Sequence, residues 1–220
     1  MSSTVWVVVL LSAYVIGSLP CGWLIARLVI HDDIRNHGSG NIGATNVYRV
    51  IGPRWGLVTL LFDACKGVIP VLLLPQAADR FTGQTSPHAA VFCGLLAIAG
   101  HMYPVWLGFR GGKGVATALG AVTVMAWQAT LVALIVFVAV FMFTRLVALA
   151  SMLAAVGFAV AELVLLGKSA FESDLWSLAT FALVVPLLIV LRHRSNLVRI
   201  LRGQEERFSF QRAESGNTVT

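Results

Sequence analysis

Hydrophobic residues fall in long blocks along this chain, and most of its formal charge lies between the blocks. A helix of roughly 20 apolar residues crosses the hydrocarbon core of a bilayer, so each block reads as a candidate span. The first, residues 5–30, has no charge before Arg27, and Trp6 and Trp23 lie near its ends, where interfacial aromatics are expected. No basic cluster precedes it, so this helix is expected to be retained rather than cleaved. Residues 31–54 are glycine-rich and too polar to enter lipid. A second span, 56–74, ends at Pro75 and carries Asp63 and Lys66; a polar loop, 76–87, leads to a third at 88–107. Residues 114–144 are 31 positions without a formal charge. As one helix they would run about 46 Å, too long for one span and short for two. A turn at Trp127–Gln128 would make two short helices. A span at 146–167 containing Glu162, a loop at 168–174 and a last span at 175–191 follow, and the tail from Arg192 starts basic.

The charge-free stretch fixes the parity of everything after it. Counted as two helices, it gives seven spans, and Arg27, Arg35, Arg49, Arg54, Arg110, Lys113, Arg145 and the 192–202 cluster share one face. Only Arg80 and Lys168 remain opposite. By the positive-inside bias the crowded face is cytoplasmic. The expected fold is therefore an all-α integral membrane protein with seven transmembrane helices, N-terminus out and C-terminus cytoplasmic. One domain covers residues 1–212, with a disordered tail at 213–220. Composition agrees: 58% of the 220 residues are apolar, 12% are charged, and mean hydropathy is +0.84. A soluble domain carries about twice that charge fraction. Cys21, Cys65 and Cys93 sit in apolar stretches without ligand spacing and read as packing residues. The net charge of +6 suits an anionic leaflet or anionic substrates.

That topology gathers four polar segments on the cytoplasmic face. The loop Gly38-Ser39-Gly40-Asn41-Ile42-Gly43-Ala44-Thr45-Asn46, with Arg49 after it, is dense in small residues whose free N–H groups suit oxyanions. Gly111-Gly112-Lys113-Gly114 is a glycine turn with one lysine, and a helix beginning at Val115 would point its N-terminus into it. It is not a Walker loop, because Gly114 follows the lysine. Thr144-Arg145 pairs a hydroxyl with a guanidinium at a span boundary. On a helix His193, Asn196 and Arg199 line one side. Plainer readings stand beside these: turn chemistry for the first loop, an interhelical turn with a snorkelling lysine for the second, membrane anchors for the rest. Asp63 and Lys66, three apart within a span, are costly unless paired. They are expected to brace the site from beneath, and His101 lies near enough to join it.

Several chemistries find no support. There is no G-x-S-x-G elbow, no compact metal-ligand spacing, and no H-x-x-x-x-D acyltransferase motif. No metal, cofactor or nucleic-acid partner is expected. Cations, amides and glycines remain, and these bind phosphates. An organic-phosphate transporter would use similar cations but needs a polar path through the membrane, and only Asp63 and Lys66 lie deeper. A non-catalytic scaffold would leave the 38–46 loop unexplained.

The segments GSGNIGATN at 38–46, DACKG at 63–67, HMYPVWLGFRGGKGVAT at 101–117 and HRSNLVRILRGQE at 193–205 resemble the signature regions of the bacterial acyl-phosphate-dependent glycerol-3-phosphate acyltransferases. The resemblance covers nearly the whole chain. It implies a seven-helix inner-membrane enzyme, active site facing the cytoplasm, that moves a fatty acyl group from acyl phosphate to the 1-hydroxyl of glycerol 3-phosphate. The products would be lysophosphatidic acid and phosphate, the first membrane step of phospholipid synthesis. By motif position, Ser39, Arg49, Lys113, Thr144, Arg145, His193 and Asn196 would surround glycerol 3-phosphate, with Asn41 and Asn46 in the same loop. Thr45 and the turn Gly111, Gly112, Lys113, Gly114 would hold acyl phosphate. His193, Asn196 and Ser39 would serve the reaction itself, and Glu205 would secure the tail. Thr144 stands where the family pattern has a serine, which keeps the hydroxyl. Asp63, Lys66, His101 and Arg199 would support from behind. Glycerol 3-phosphate, acyl phosphate and membrane lipids are the implied partners, and the acyl-phosphate-producing enzyme is a candidate one.

Overall fold

The structure is a computed structural model, described for residues 2–84 and 86–209. The expected disordered segment 213–220 lies outside the described residues. Among the described residues there are ten α-helices: α1 Ser2–Gly17, α2 Cys21–Val29, α3 Ala44–Ile51, α4 Pro53–Thr82, α5 Ala89–Met102, α6 Val115–Met125, α7 Trp127–Thr144, α8 Val147–Leu166, α9 Trp176–Arg192 and α10 Arg194–Leu201. Among the described residues five helical segments are long and apolar enough to cross a bilayer, with α1 and α2 counted together. The pair α9 and α10, bent by 58°, makes a sixth. At 11 residues, α6 spans only about 16 Å and is too short to cross alone.

Three boundaries differ from those the sequence led us to expect. The first span is broken at Ser18-Leu19-Pro20, where the proline removes a backbone donor. Lys66 Nζ donates to the Leu19 carbonyl at that break (2.9 Å), so a charge buried in α4 closes a gap in its neighbour. The second span does not stop at Pro75. α4 runs on through Pro70 and Pro75 to Thr82, and the expected loop at 76–82 is helix. Each proline deletes one hydrogen bond but leaves the helix continuous, as spanning helices tolerate. Gly83, at φ 65°, ends it, with its N–H on the Asp79 carbonyl. The break in the charge-free stretch falls at Ala126, one residue before the expected turn.

Packing between helices rests on small residues. A Cβ on Gly67 would collide with the Thr117 carbonyl, and one on Gly120 with the Ala64 carbonyl. Glycine at both points therefore lets α4 and α6 cross with backbones in contact, as in membrane helix pairs generally. The buried stripe of α4, including Gly56, Thr59, Asp63, Lys66, Gly67, Pro70 and Val71, recurs every three or four residues. Asp63 and Lys66 thus face inward. Outward faces carry Leu57, Leu61, Phe62, Ile135 and Phe143, the surface of a protein solvated by lipid.

Candidate active site

Four backbone features converge at one end of the bundle. The first is the loop ahead of α3, built around Asn46, which is 2% exposed. Its Nδ2 donates to the carbonyls of Ile34, His37 and Asn41, and its Oδ1 accepts from the Ser39 N–H at 2.8 Å. Asn46 therefore shapes the loop, its amide wholly engaged there. Asn41 Oδ1 accepts from the Gly43 N–H, closing an Asx turn. So braced, the loop turns Ser39, Asn41 and Thr45 toward a shared cleft, with Arg49 one turn further along α3.

The second feature is the glycine turn before α6. The N–H groups of Gly111 and Gly112 reach back to the carbonyls of Met102 and His101, and Gly114 enters α6 at φ 83°. A Cβ on Gly112 would strike the His101 imidazole. Arg192, at the end of α9, gathers three carbonyls: Nη2 donates to Gly112 at 2.8 Å, Gly111 at 3.1 Å and Met102 at 3.3 Å. Its guanidinium also lies over the Tyr103 ring. The sequence marked Arg192 only as a cytoplasmic charge. Nothing in a sequence announces that two carbonyls of a distant turn and one at the end of α5 will meet one guanidinium.

The third feature is the bend at His193 between α9 and α10. Its Nδ1 lies 2.8 Å from the Ile189 carbonyl. A carbonyl can only accept, so Nδ1 carries the proton and Nε2 is left as the acceptor. Burial, helped by the Lys113 charge, pushes this imidazole down to about 4. One turn on, Asn196 Oδ1 accepts from Lys113 Nζ at 2.6 Å, and its Nδ2 donates to Glu205 Oε1 at 2.7 Å. Glu205 Oε2 in turn accepts from Arg199 Nε at 2.7 Å. Burial draws the Lys113 ammonium down to about 8; Glu205 opposes this, while Arg199, Arg49 and Arg192 add to it.

The fourth feature is the segment after α10, which crosses the mouth of the cleft. Arg49 pairs with Glu206 through its carboxylate (3.1 Å) and its carbonyl (3.0 Å). Phe208 packs against the rings of Tyr48 and Phe141, and its N–H donates to the Arg145 carbonyl. Glu206 and Phe208 escaped the sequence reading, although two phenylalanines, Phe208 and Phe210, in a polar tail were a usable signal.

Together these features enclose a cleft of about 650 Å³. Ser39, Asn41, Thr45, Arg49, Lys113, Gly114, His193 and Asn196 line its polar part, with Asp63 and His101 alongside. The rest is apolar, running down among α4, α6, α7, α8 and α9. Other expected site residues stand apart. Gly111 faces a neighbouring recess with Arg35 and Arg110. The Thr144 hydroxyl donates to the Val140 carbonyl and accepts from the Leu146 N–H, which caps α7. Arg145, left-handed at φ 59°, follows it. Under the cleft Lys66 Nζ pairs with Asp63 Oδ1 at 2.7 Å, and His101 Nδ1 lies 3.6 Å from the same oxygen. Among the described residues no cluster of three or more His, Cys, Asp or Glu could hold a metal ion.

Comparison with known proteins places this architecture. The family model described as glycerol-3-phosphate acyltransferase matches residues 7–203. A glycerol-3-phosphate acyltransferase of Desulforudis audaxviator is 42% identical over 96% of this chain and 100% of its own. One of Myxococcus xanthus is 45% identical over 90% and 97%. The crystal structure of PlsY (YgiH), an integral membrane glycerol 3-phosphate acyltransferase, in its glycerol 3-phosphate form is 38% identical, covers 93% of this chain and 96% of its own, and superposes with a TM-score of 0.81. Its lysophosphatidic acid form gives 36%, the same coverage and 0.77. With the family model matching residues 7–203 and relatives above 40% identity over nearly the whole chain, this chain belongs to the glycerol-3-phosphate acyltransferase family.

Proposed function

We propose that the protein transfers a fatty acyl group from acyl phosphate to the 1-hydroxyl of glycerol 3-phosphate, releasing lysophosphatidic acid and inorganic phosphate. The observation that carries this reading is the cleft itself: Arg49 and Lys113 stand at the polar end of a long apolar cavity, beside a neutral His193. Two anionic phosphates must meet there, and the cations offset their repulsion. Ser39, Arg49, Lys113 and Asn196 are assigned to glycerol 3-phosphate, with Thr144 and Arg145 at the edge of its site. Thr45 and the 111–114 turn are assigned to the donor.

In the reacting complex the glycerol hydroxyl oxygen attacks the acyl carbon, the carbon–oxygen bond to phosphate breaks, and the hydroxyl proton must leave. His193 Nε2 accepts a hydrogen bond from that hydroxyl and aims it. An imidazole held near 4 is a feeble base, so the departing phosphate takes the proton. Phosphate leaves readily from a mixed anhydride, so proximity and charge neutralisation supply most of the catalysis. The donor's chain lies in the apolar part of the cleft.

The orientation belongs to the same proposal. In this proposal α6 descends from Lys113 and α7 returns to Arg145, so the chain comes back to the side it left although α6 is too short to cross alone. The C-terminus and the site then face the cytoplasm of a bacterial cell, in its inner membrane, with the N-terminus outside. The deciding experiment mixes detergent-purified protein with glycerol 3-phosphate and palmitoyl phosphate, with palmitoyl-CoA as parallel donor. Stoichiometric phosphate and lysophosphatidic acid from acyl phosphate alone, lost in Lys113→Ala, support the proposal. Turnover with acyl-CoA only keeps the reaction and removes the donor.

A further inference from the structure

The apolar arm of the cleft is walled by α4, α6, α7, α8 and α9. Counting along α6, α7, α8 and α9 away from the polar end, the last lining residue is Val122, Ala133, Phe158 and Val185 respectively. One turn deeper stand Ala126, Ala129, Phe181 and Ala182, which are buried and belong to the closed core rather than to the cleft. Of the four end residues three are small or β-branched. Phe158 is the bulky one, 4% exposed and packed into the core cluster.

Depth follows from helix geometry. From Val147, at the top of α8, to Phe158 is about 16 Å, and from His193 down α9 to Val185 about 12 Å, at the usual rise. We infer that Phe158 is the floor of the acyl-chain site and sets the longest chain the enzyme accepts efficiently; this rests on the acyltransferase reading above. A chain anchored at its head by Thr45 and the 111–114 turn cannot slide outward to relieve a clash, so surplus methylenes must displace the ring or leave the cleft. One turn beyond Phe158 on the same face is Glu162, buried at 5% exposure. Removing the ring therefore adds about 5.4 Å of depth and no more, because the carboxyl closes the next turn. Higher on the same face of α8, Ala155 lines the cleft three residues before Phe158, where a larger side chain would shorten the site.

The test measures kcat/KM across saturated acyl phosphates from lauroyl to arachidoyl, for wild type, Phe158→Ala and Ala155→Phe. Length that a fitted apolar pocket cannot house is discriminated against by at least roughly tenfold. Phe158→Ala is expected to raise the ratio of stearoyl to lauroyl turnover about tenfold, and Ala155→Phe to lower it by a similar factor. Ala155 lines the cleft, so a larger side chain there decides the question from the opposite direction even where Phe158→Ala fails to fold. Wild-type preference unchanged in the folded variants, or a uniform loss at every chain length, overturns the floor while leaving the acyltransferase intact. A wild type that turns over no acyl phosphate of any length overturns the reading beneath it.

Discussion

Lys113 carries the most exposed functional consequence of any single residue. Its ammonium donates to Asn196, and burial holds it near 8 rather than in the usual lysine range. Below that pH it is charged and binds a phosphate; above it the proton leaves and the attraction goes with it. In the unliganded enzyme kcat/KM for glycerol 3-phosphate is therefore expected to fall as pH rises through about 8. Lys113→Arg should lower the rate but abolish that alkaline limb, because a guanidinium stays charged throughout. A pH profile of both proteins checks it, and an alkaline limb unchanged in Lys113→Arg would assign the titration elsewhere. His193 makes the complementary case. It is neutral well above about 4, so no acid limb from it is expected near neutrality. His193→Ala should lose about 100-fold in kcat, the lower range for a positioned proton-handling group, yet retain a measurable rate. Complete loss would identify it as the base. The sequence supplied these residue types and their shared face on a helix. It could not show that Nδ1 is tied to the Ile189 carbonyl, because that depends on a bend between two helices.

At the scale of elements, the glycine turn owes its shape to α9. Three carbonyls facing one another would repel, and the Arg192 fork is what gathers them. Lysine keeps the charge but is a point donor on a flexible stem and cannot reproduce the planar fork. Arg192→Lys is expected to raise KM for the acyl phosphate about tenfold, with KM for glycerol 3-phosphate changed much less and helix content by circular dichroism unaltered. Equal effects on both substrates would make Arg192 a general stabiliser instead. The same scale shows where patterning misled. Pro75 read as a stop because proline breaks soluble helices, but in an apolar environment no water competes for the freed carbonyl and α4 continues to Gly83. Conversely the block at 5–30 looked continuous, and its break at Pro20 was hidden because every residue around it is apolar or small. Lys66 was expected to serve the site; its hydrogen bond to Leu19 ties it to that break as well.

For the whole molecule, the cationic loops and the apolar blocks were legible because both are compositional. The count of crossings was not, because it depends on an 11-residue helix that charge-free sequence cannot delimit. Orientation turns on that helix. If α6 and α7 form a returning hairpin, Arg110 and Arg202 lie on the same side, and Gln84 and Ser173 lie opposite. If α7 alone crosses, everything after Arg145 changes sides, so Ser173 joins Arg110 and Arg202 leaves it. The basic residues favour the hairpin, since the alternative would split Arg110 and Lys113 from the 192–202 cluster. Single cysteines at these four positions decide it in a protein whose Cys21, Cys65 and Cys93 have been replaced. Gln84→Cys and Ser173→Cys are expected to react with an impermeant maleimide on intact cells. Arg110→Cys and Arg202→Cys should react only after permeabilisation. Ser173→Cys protected while Arg202→Cys labels from outside would remove the hairpin. It would also put the end of α10, and the Glu205 and Glu206 contacts beyond it, on the face opposite Lys113, which the 2.6 Å bond from Lys113 to Asn196 does not allow.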